Sequence, residues 1–498
     1  MREAKNHLVV GVLMVVTIVS GIIALILSIV EVQNIFLPAR TKYGMVFDAG
    51  SSHTSLYIYQ WPADKENNTG IVSQVHMCAV KGPGISSYAD NPPQAGESLK
   101  TCLDEAMTII PAKQQKETPT LLGATAGMRL LSHQNKTKAN LVFEEVSKTI
   151  KQYPVDFRGA RILSGNEEGS LGWVTVNYLL NTLIEYSFAG EWIHPNSDQI
   201  LGAMDLGGAS TQITFQPSVS IEDKNTEMFF RLYGNDYTIY THSYLCYGQD
   251  QALKMLLANL IEESKLSSSI SYSCYPKGYQ ENISLASIYN SPCVSAPTSY
   301  NLTQNITLNG IGNPAECKNA ISKLFNFSAC GSNKTCTFNG VYQPPVHGQF
   351  YAFSAFYYTF GFLNLTSGQS LNVVNDTIWK FCTEEWEKLH VEFPLQNLNR
   401  LRDYCVSGLY ILTLLLDGYK FSDQTWANIY FRKQAGNAEI GWTLGYMLNL
   451  TNMIPSETPV TAKGHKSSIW AAALFFIVLS IVAGLVSILL FWFLRNGS

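Results

Sequence analysis

The chain lacks any run of lysine or arginine. Its 498 residues carry 34 basic and 38 acidic side chains, a formal net charge of −4. With no basic stripe to track a phosphate backbone, nucleic acid is excluded as a partner. There is no C-x-x-C, which argues against zinc or thioredoxin-like chemistry. There is no G-x-x-x-x-G-K-[ST] either, so a P-loop is not the route to phosphate binding. Two stretches lack charge altogether, Leu8 to Val30 and Ile469 to Leu494. Each is long enough to cross a hydrocarbon core of about 30 Å as a helix. The first exceeds a signal peptide's apolar region and has no clear small-residue cleavage site after it, so it reads as an uncleaved anchor. Trp470 and Trp492 sit near the ends of the second, where amphipathic rings suit the membrane interface.

What is present lies mainly between these spans. At roughly 150 residues per domain the length predicts two or three domains. All ten cysteines fall between Cys78 and Cys405. The even count points to disulfides made in an oxidising compartment, with connectivity left open. Sequons of the form N-x-S/T begin at Asn67, Asn135, Asn282, Asn301, Asn305, Asn326, Asn333, Asn364, Asn375 and Asn449. Sequons are filled only in the secretory lumen, so the middle is expected outside the cell and both termini in the cytosol. Lys138–Tyr153 and Gln249–Leu266 read as helices. The Ser-, Asn-, Pro- and Cys-rich stretch Ser267–Pro345 reads as a disulfide-stapled insertion. Residues 31–42 and 455–468 read as linkers.

The chemistry begins at "GMVFDAGSSHTSLYIYQW" (44–61). Two β-like runs, Met45–Phe47 and Leu56–Tyr59, flank a turn holding Asp48 and several backbone N–H groups. Alone, such a turn is an ordinary hairpin, because Gly and Asp tolerate unusual backbone angles. A second copy, "AMDLGGASTQITF" (203–215), changes that reading. Both follow D-x-G-[SG]-[SA]-x-[TQ], about one domain length apart. Small residues let backbone approach a ligand, and successive N–H groups form a concavity for anions. Each turn also carries one carboxylate, a hard ligand for Ca²⁺ or Mg²⁺ directly or through water. Two such turns could grip a metal–polyphosphate from both sides. The arrangement resembles the actin, Hsp70 and sugar-kinase superfamily, an α/β fold of two related RNase H-like domains around a nucleotide cleft.

Two further stretches narrow the reading. "LGATAGMRLL" (122–131) places Thr125, Gly127 and Arg129 after a short strand. "SGNEEGSLGW" (164–173) places Glu167 and Glu168 before a helix. Acids there suit a helix N-terminus; one of them is also placed to serve as a general base for an attacking water. In order, "DAGSSHT", "GATAGMR", "GNEEG", "DLGGAST" and "YAFSAFYYT" (351–359) match the five apyrase conserved regions. The chain resembles the cell-surface nucleoside triphosphate diphosphohydrolases, the ecto-apyrases, in their vertebrate plasma-membrane branch, over almost its whole length.

The resemblance implies Glu168 as general base, with Ser210 and Gln212 positioning the water. It implies metal held by Asp48 and Asp205, largely through a water shell. Ser51, Ser52, His53 and Thr54 would line the first phosphate loop, and Gly207, Gly208 and Ala209 the second. Thr125 would sit by the terminal phosphate. The base would lie between Tyr358 and Arg400, whose ordinary alternatives are core packing and an ion pair with Asp403. Carried over, the disulfides are Cys78–Cys102, Cys246–Cys293, Cys274–Cys317, Cys330–Cys336 and Cys382–Cys405.

The expected organisation is a cytosolic tail (1–7), a span (8–30), a linker (31–42), a membrane-proximal domain (43–164 with 432–454), a second domain (165–431), a linker (455–468), a span (469–494) and a tail (495–498). The expected activity is extracellular hydrolysis of nucleoside tri- and diphosphates, ATP to ADP to AMP, at the plasma membrane, ending nucleotide signals. Alternatives are a triphosphate-preferring ecto-ATPase, a non-hydrolysing nucleotide receptor, and a kinase or chaperone ATPase of the same superfamily. Small residues in the spans (Gly11, Ser20, Gly21; Ala471, Ala472, Ala473, Gly484) predict helix packing, between chains included.

Overall fold

A computed structural model of the chain describes residues 2–29, 33–36, 40–63, 71–186, 192–193, 195, 199–331, 335–454, 457–458 and 461–496. Sequons Asn67 and Asn333 lie outside the described residues. The chain divides into two units. One comprises Met1–Arg40, Pro62–Asp64 and Ser456–Ser498, the other Thr41–Trp61 and Lys65–Pro455.

The first unit holds two long helices, Arg2–Ile29 and Ser467–Asn496. Their segments His7–Ile29 and Ser467–Arg495 have mean hydropathies of 2.9 and 3.0 and the length to span a membrane. They pack on one another. The Ser480 hydroxyl donates to the Thr17 carbonyl across the pair at 3.0 Å. Gly21 lies opposite the same hydroxyl, where the lack of a side chain lets the helices approach. The segments expected as linkers are not wholly irregular: Gln33–Phe36 pairs antiparallel with Thr461–Gly464. Four-residue strands with ordinary polar residues carry too weak an alternation to stand out in sequence.

The second unit is built on two sheets. The first contains β1 (Thr41–Ala49), β2 (Thr54–Pro62), β3 (Ser73–Ala79), β4 (Pro119–Ala124) and β5 (Asp156–Ile162), in the order β3-β2-β1-β4-β5. Between them come α1 (Pro92–Ile109), α2 (Ala126–Gln134) and α3 (Lys136–Ile150). Then α4 (Gly165–Leu179) leads to the second sheet: β6 (Gly202–Leu206), β7 (Ser210–Phe215), β8 (Glu227–Leu232), β9 (Asn235–Leu245), and, after α5 (Gln249–Glu263) and the insertion, β10 (Phe350–Ser354) and β11 (Ile429–Phe431). Its order is β8-β9-β7-β6-β10-β11.

Apart from the extra edge strand β8, the two sheets have one plan. A hairpin (β1–β2, β6–β7) meets an antiparallel strand on one side (β3, β9) and two parallel strands on the other (β4 and β5, β10 and β11). The repeated motif in the sequence is therefore the repeated hairpin of a duplicated α/β fold. Asp48 and Asp205 are each the penultimate residue of the central strand. The insertion holds a three-stranded sheet, Ser269–Tyr272, Asn305–Gly310 and Gln280–Ser284. All five disulfides pair as the resemblance implies, and no described cysteine is free.

Each sheet has its own apolar core, and a third cluster joins them around α4 and α8 (Trp442–Met453). The stretch Glu168–Asn177 is buried on every side, which fits a central rather than a surface helix. Gly445 lets α8 close on α4: a side chain there would strike the Leu171 carbonyl. Its N–H donates to Thr175 Oγ1 at 2.8 Å. Buried side chains such as Leu171, Trp173 and Val174 are each worth roughly 1.5–3 kcal/mol. They fix the helix whose first turn carries Glu167 and Glu168.

Candidate active site

The two hairpin turns face each other. A Cβ added at Gly208 would fall 2.7 Å from Ser51 Oγ and 2.5 Å from Asp250 Oδ2. The first turn, Ser51–His53, also receives the start of α2, because a Cβ at Gly127 would lie 2.8 Å from the Ser51 Cα. Thr125 is buried just before α2, and its N–H donates to Ala49 at 3.1 Å. Thr54 is buried, while Ser52 and His53 are exposed. His53 lies within electrostatic reach of Arg400, Glu439 and Asp250. Gly207, Gly208 and Ala209 form the second turn; the Gln249 and Gln251 N–H groups donate to the Gly207 and Gly208 carbonyls at 2.9 and 3.1 Å.

Three carboxyls share the buried space beside these turns. Burial pushes Asp48 up to about 7; Asp205 pushes the same way, against the Trp442 indole N–H, which faces Asp48 without reaching hydrogen-bond geometry. Burial raises Asp205 to about 6, and the nearby Ser354 hydroxyl opposes the rise. Burial raises Glu168 to about 8; Arg129 opposes this, while Asp205 and Asp48 reinforce it. Asp48 Oδ1 and Asp205 Oδ1 are buried acceptors with no donor. Such atoms are costly unless something else satisfies them. Among the described residues no three His, Cys, Asp or Glu cluster closely enough to ligate an ion directly. The donor set therefore fits a hard cation that keeps most of its water.

Glu167 and Glu168 have different surroundings. Ser164 caps α4 in a capping box: its hydroxyl accepts from Glu167 N–H at 3.2 Å, and Glu167 Oε2 accepts from Ser164 N–H at 2.9 Å. Glu168, one residue on, turns inward and is 9 % exposed. Its Oε2 pairs with Arg129 and accepts from Gln212 Nε2 at 3.1 Å. Gln212 Nε2 also lies 2.7 Å from Ser210 Oγ. Glu168, Ser210 and Gln212 are thus brought together.

Tyr358 and Arg400 lie on α6 (Ala355–Phe362) and α7 (Leu398–Thr413). Tyr358 is 50 % exposed rather than packed in the core. The cation beside its ring is Lys433, 6.0 Å from the centroid. The ion pair considered for Arg400 is made by its neighbour instead: Arg402 Nε binds Asp403 at 3.2 Å. Arg400 interacts electrostatically with His53 and Asp250.

Several site residues escaped the sequence reading. Arg129 was noted without a role. Trp442 lies over Gly123, β4's register partner of Asp48, where only glycine leaves room for the indole. Ser354 holds a left-handed backbone, φ 58°, strained for a non-glycine residue. Asp250 and Ser243 are ordinary polar residues far along the chain. The strain of Ser354 has no sequence signature. Only the small residues of "GATAG" hinted at a close approach.

The fold and site together define a duplicated α/β protein with two facing hairpin turns and buried carboxyls beside them. Residues 34–463 match the GDA1/CD39 (nucleoside phosphatase) family. An ectonucleoside triphosphate diphosphohydrolase 8 from Gallus gallus is 64 % identical over 98 % of this chain and 99 % of its own length. An ectonucleoside triphosphate diphosphohydrolase 2 from Mus musculus is 47 % identical over 94 % of each chain. The chain belongs to the GDA1/CD39 (nucleoside phosphatase) family, as a hydrolase with two apolar helices of membrane-spanning type. The crystal structure of a nucleoside triphosphate hydrolase from Neospora caninum shares the fold, with a TM-score of 0.57 at 13 % identity, over 82 % of this chain and 92 % of that one.

Proposed function

We propose that the chain hydrolyses the terminal phosphate of nucleoside tri- and diphosphates outside the cell, taking ATP through ADP to AMP and ending nucleotide signals. The observation that carries this reading is the convergence of Glu168, Ser210 and Gln212 beside two facing turns. The printed names of the relatives support the substrate class. We assign 43–164 with 432–454 to one lobe and 165–431 to the other. The sequons support an extracellular catalytic side.

Glu168 is the general base. Its Oε2 is held by Arg129 and Gln212, so Oε1 accepts the proton of an in-line water. Ser210 and Gln212 orient that water. Backbone N–H groups of the turns, with Thr125, hold the terminal phosphate and meet the charge that develops on it. Asp48 and Asp205 would hold Ca²⁺ or Mg²⁺, which when bound neutralises charge on the phosphoryl oxygens. The protein's share is positioning and charge stabilisation, with no covalent intermediate required. Tyr358 and Arg400 take the base by stacking, which tolerates every base.

Turnover in heavy-oxygen water tests the direction of attack. The label should enter inorganic phosphate. Label in the nucleotide product would place the attack on another phosphorus, and nucleotide binding without turnover would favour a receptor. Association of copies through the spans belongs to the same proposal; identical assembly and kinetics of a span-free ectodomain would remove it.

A further inference from the structure

Ser243 is absent from every motif that points to the site, yet it closes a ring of polar contacts around Glu168. It lies on β9 directly opposite Gln212 on β7, as the Cα register partner in an antiparallel ladder. Paired residues of this kind project to one face of the sheet and touch. Gln212 Nε2 lies 2.9 Å from Ser243 Oγ. Arg129 Nη1 approaches the same oxygen at 3.4 Å. Arg129 Nη2 and Gln212 Nε2 both reach Glu168 Oε2. The circuit therefore runs Ser243, Arg129, Glu168, Gln212 and back to Ser243.

The geometry points to Ser243 as a positioning residue for the proposed general base. A primary amide has two hydrogens on its nitrogen, and a guanidinium has five in a fixed fork. By accepting one hydrogen from Gln212 and one from Arg129, the Ser243 hydroxyl fixes the rotation of both groups. Arg129 then aims its Nη2 hydrogen at Glu168 Oε2, while the second amide hydrogen of Gln212 is shared between Glu168 Oε2 at 3.1 Å and Ser210 Oγ at 2.7 Å. With Oε2 doubly anchored, the carboxylate cannot swing, and Oε1 is the oxygen presented to water. Gly165 holds Ser243 from the other side: a side chain at 165 would strike the serine Cβ and hydroxyl. The hydroxyl thus has little room to leave the ring. Arg129 comes from α2, beside the first sheet, while Gln212 and Ser243 belong to the second. The ring forms only when both sheets contribute.

This inference rests on the reading of Glu168 as base, and the test separates the two. Ser243→Ala and Ser243→Thr would be compared in the full-length protein, with Gln212→Ala, Ser243→Ala/Gln212→Ala and Glu168→Gln alongside. Misplacing a reacting group by about 1 Å can cost on the order of 100-fold. Loss of one anchor is expected to lower kcat by about 10-fold, with KM for ATP changed by less than about 2-fold. The double variant should lose less than the product of the two single losses, because both residues act through one carboxylate. Ser243→Thr keeps the hydroxyl and should stay within about 3-fold of wild type. A purely packing role predicts the reverse order, since threonine adds a methyl where Gly165 leaves little room and alanine adds nothing. Equal kcat for Ser243→Ala and wild type, or fully multiplicative losses in the double variant, would overturn the ring while leaving Glu168 intact. If Glu168→Gln kept wild-type turnover, the base reading itself would fall.

Discussion

Glu167 and Glu168 are adjacent on one helical turn and point about 100° apart: Glu167 closes the helix cap on Ser164, and Glu168 turns inward against Arg129. Glu168→Gln should lower kcat by at least about 10³-fold while still binding nucleotide. Glu167→Gln should keep turnover and lose about 0.5 kcal/mol of stability, since the partly exposed cap and its Arg161 pair are screened. Phosphate release and thermal melting of the two variants check both statements.

The Glu167 contribution has a definite pH sign. Partial burial raises its carboxyl, but the Ser164 N–H and Arg161 outweigh this and hold it below 4.5. The stabilisation is therefore present above 4.5 and lost as pH falls through the lower folded value. The melting-temperature gap between wild type and Glu167→Gln should narrow between neutral pH and about pH 3.

Asp48 and Asp205 each keep one buried oxygen without a donor. A divalent cation should therefore stabilise the fold as well as support turnover. At a cation concentration about 100 times the dissociation constant the gain is about 2.7 kcal/mol. EDTA should abolish phosphate release. Asp48→Asn and Asp205→Asn should each lose most of the cation-dependent rise in melting temperature. An equal rise in these variants would place the ion elsewhere.

Gly208 separates Ser51 from Asp250 at the meeting of the two turns. Gly208→Ala would put a methyl 2.5 Å from Asp250 Oδ2 and 2.7 Å from Ser51 Oγ. The second turn must shift, and kcat/KM for ATP should fall by about 10- to 100-fold. Steady-state kinetics on folded protein measure this.

Stacking predicts little discrimination among bases. Tyr358→Ala should raise KM for ATP, GTP, UTP and CTP alike, by about 5- to 100-fold. Tripolyphosphate, which has no base, should be unaffected. A loss shared by tripolyphosphate would mean that Tyr358 supports the fold.

The site was legible where chemistry demands unusual local sequence. Two Asp-Gly turns a domain apart announced the duplicated hairpins, because small residues and a carboxylate at a strand end are rarely combined twice by accident. The ordered motifs then carried the disulfide pairing. Ser243, Asp250 and Trp442 were invisible for the opposite reason. Each is an ordinary residue whose role comes from strand register or helix packing, as when β7 and β9 bring Ser243 opposite Gln212. The strand Gln33–Phe36 was missed because its partner lies at the far end of the chain. The pairing of Asp403 with Arg402 rather than Arg400 depends on which face of α7 each residue takes, and spacing alone does not decide it.

The most direct test of the central claim is phosphate release from ATP and from ADP by intact cells expressing the protein, with Ca²⁺ or EDTA, beside Glu168→Gln. Release from both nucleotides into the medium, dependent on the cation and lost in the variant, is the predicted result. Release from ATP but hardly from ADP would retain the mechanism and make the protein a triphosphatase. Equal release by wild type and Glu168→Gln, or none by either, would contradict the account.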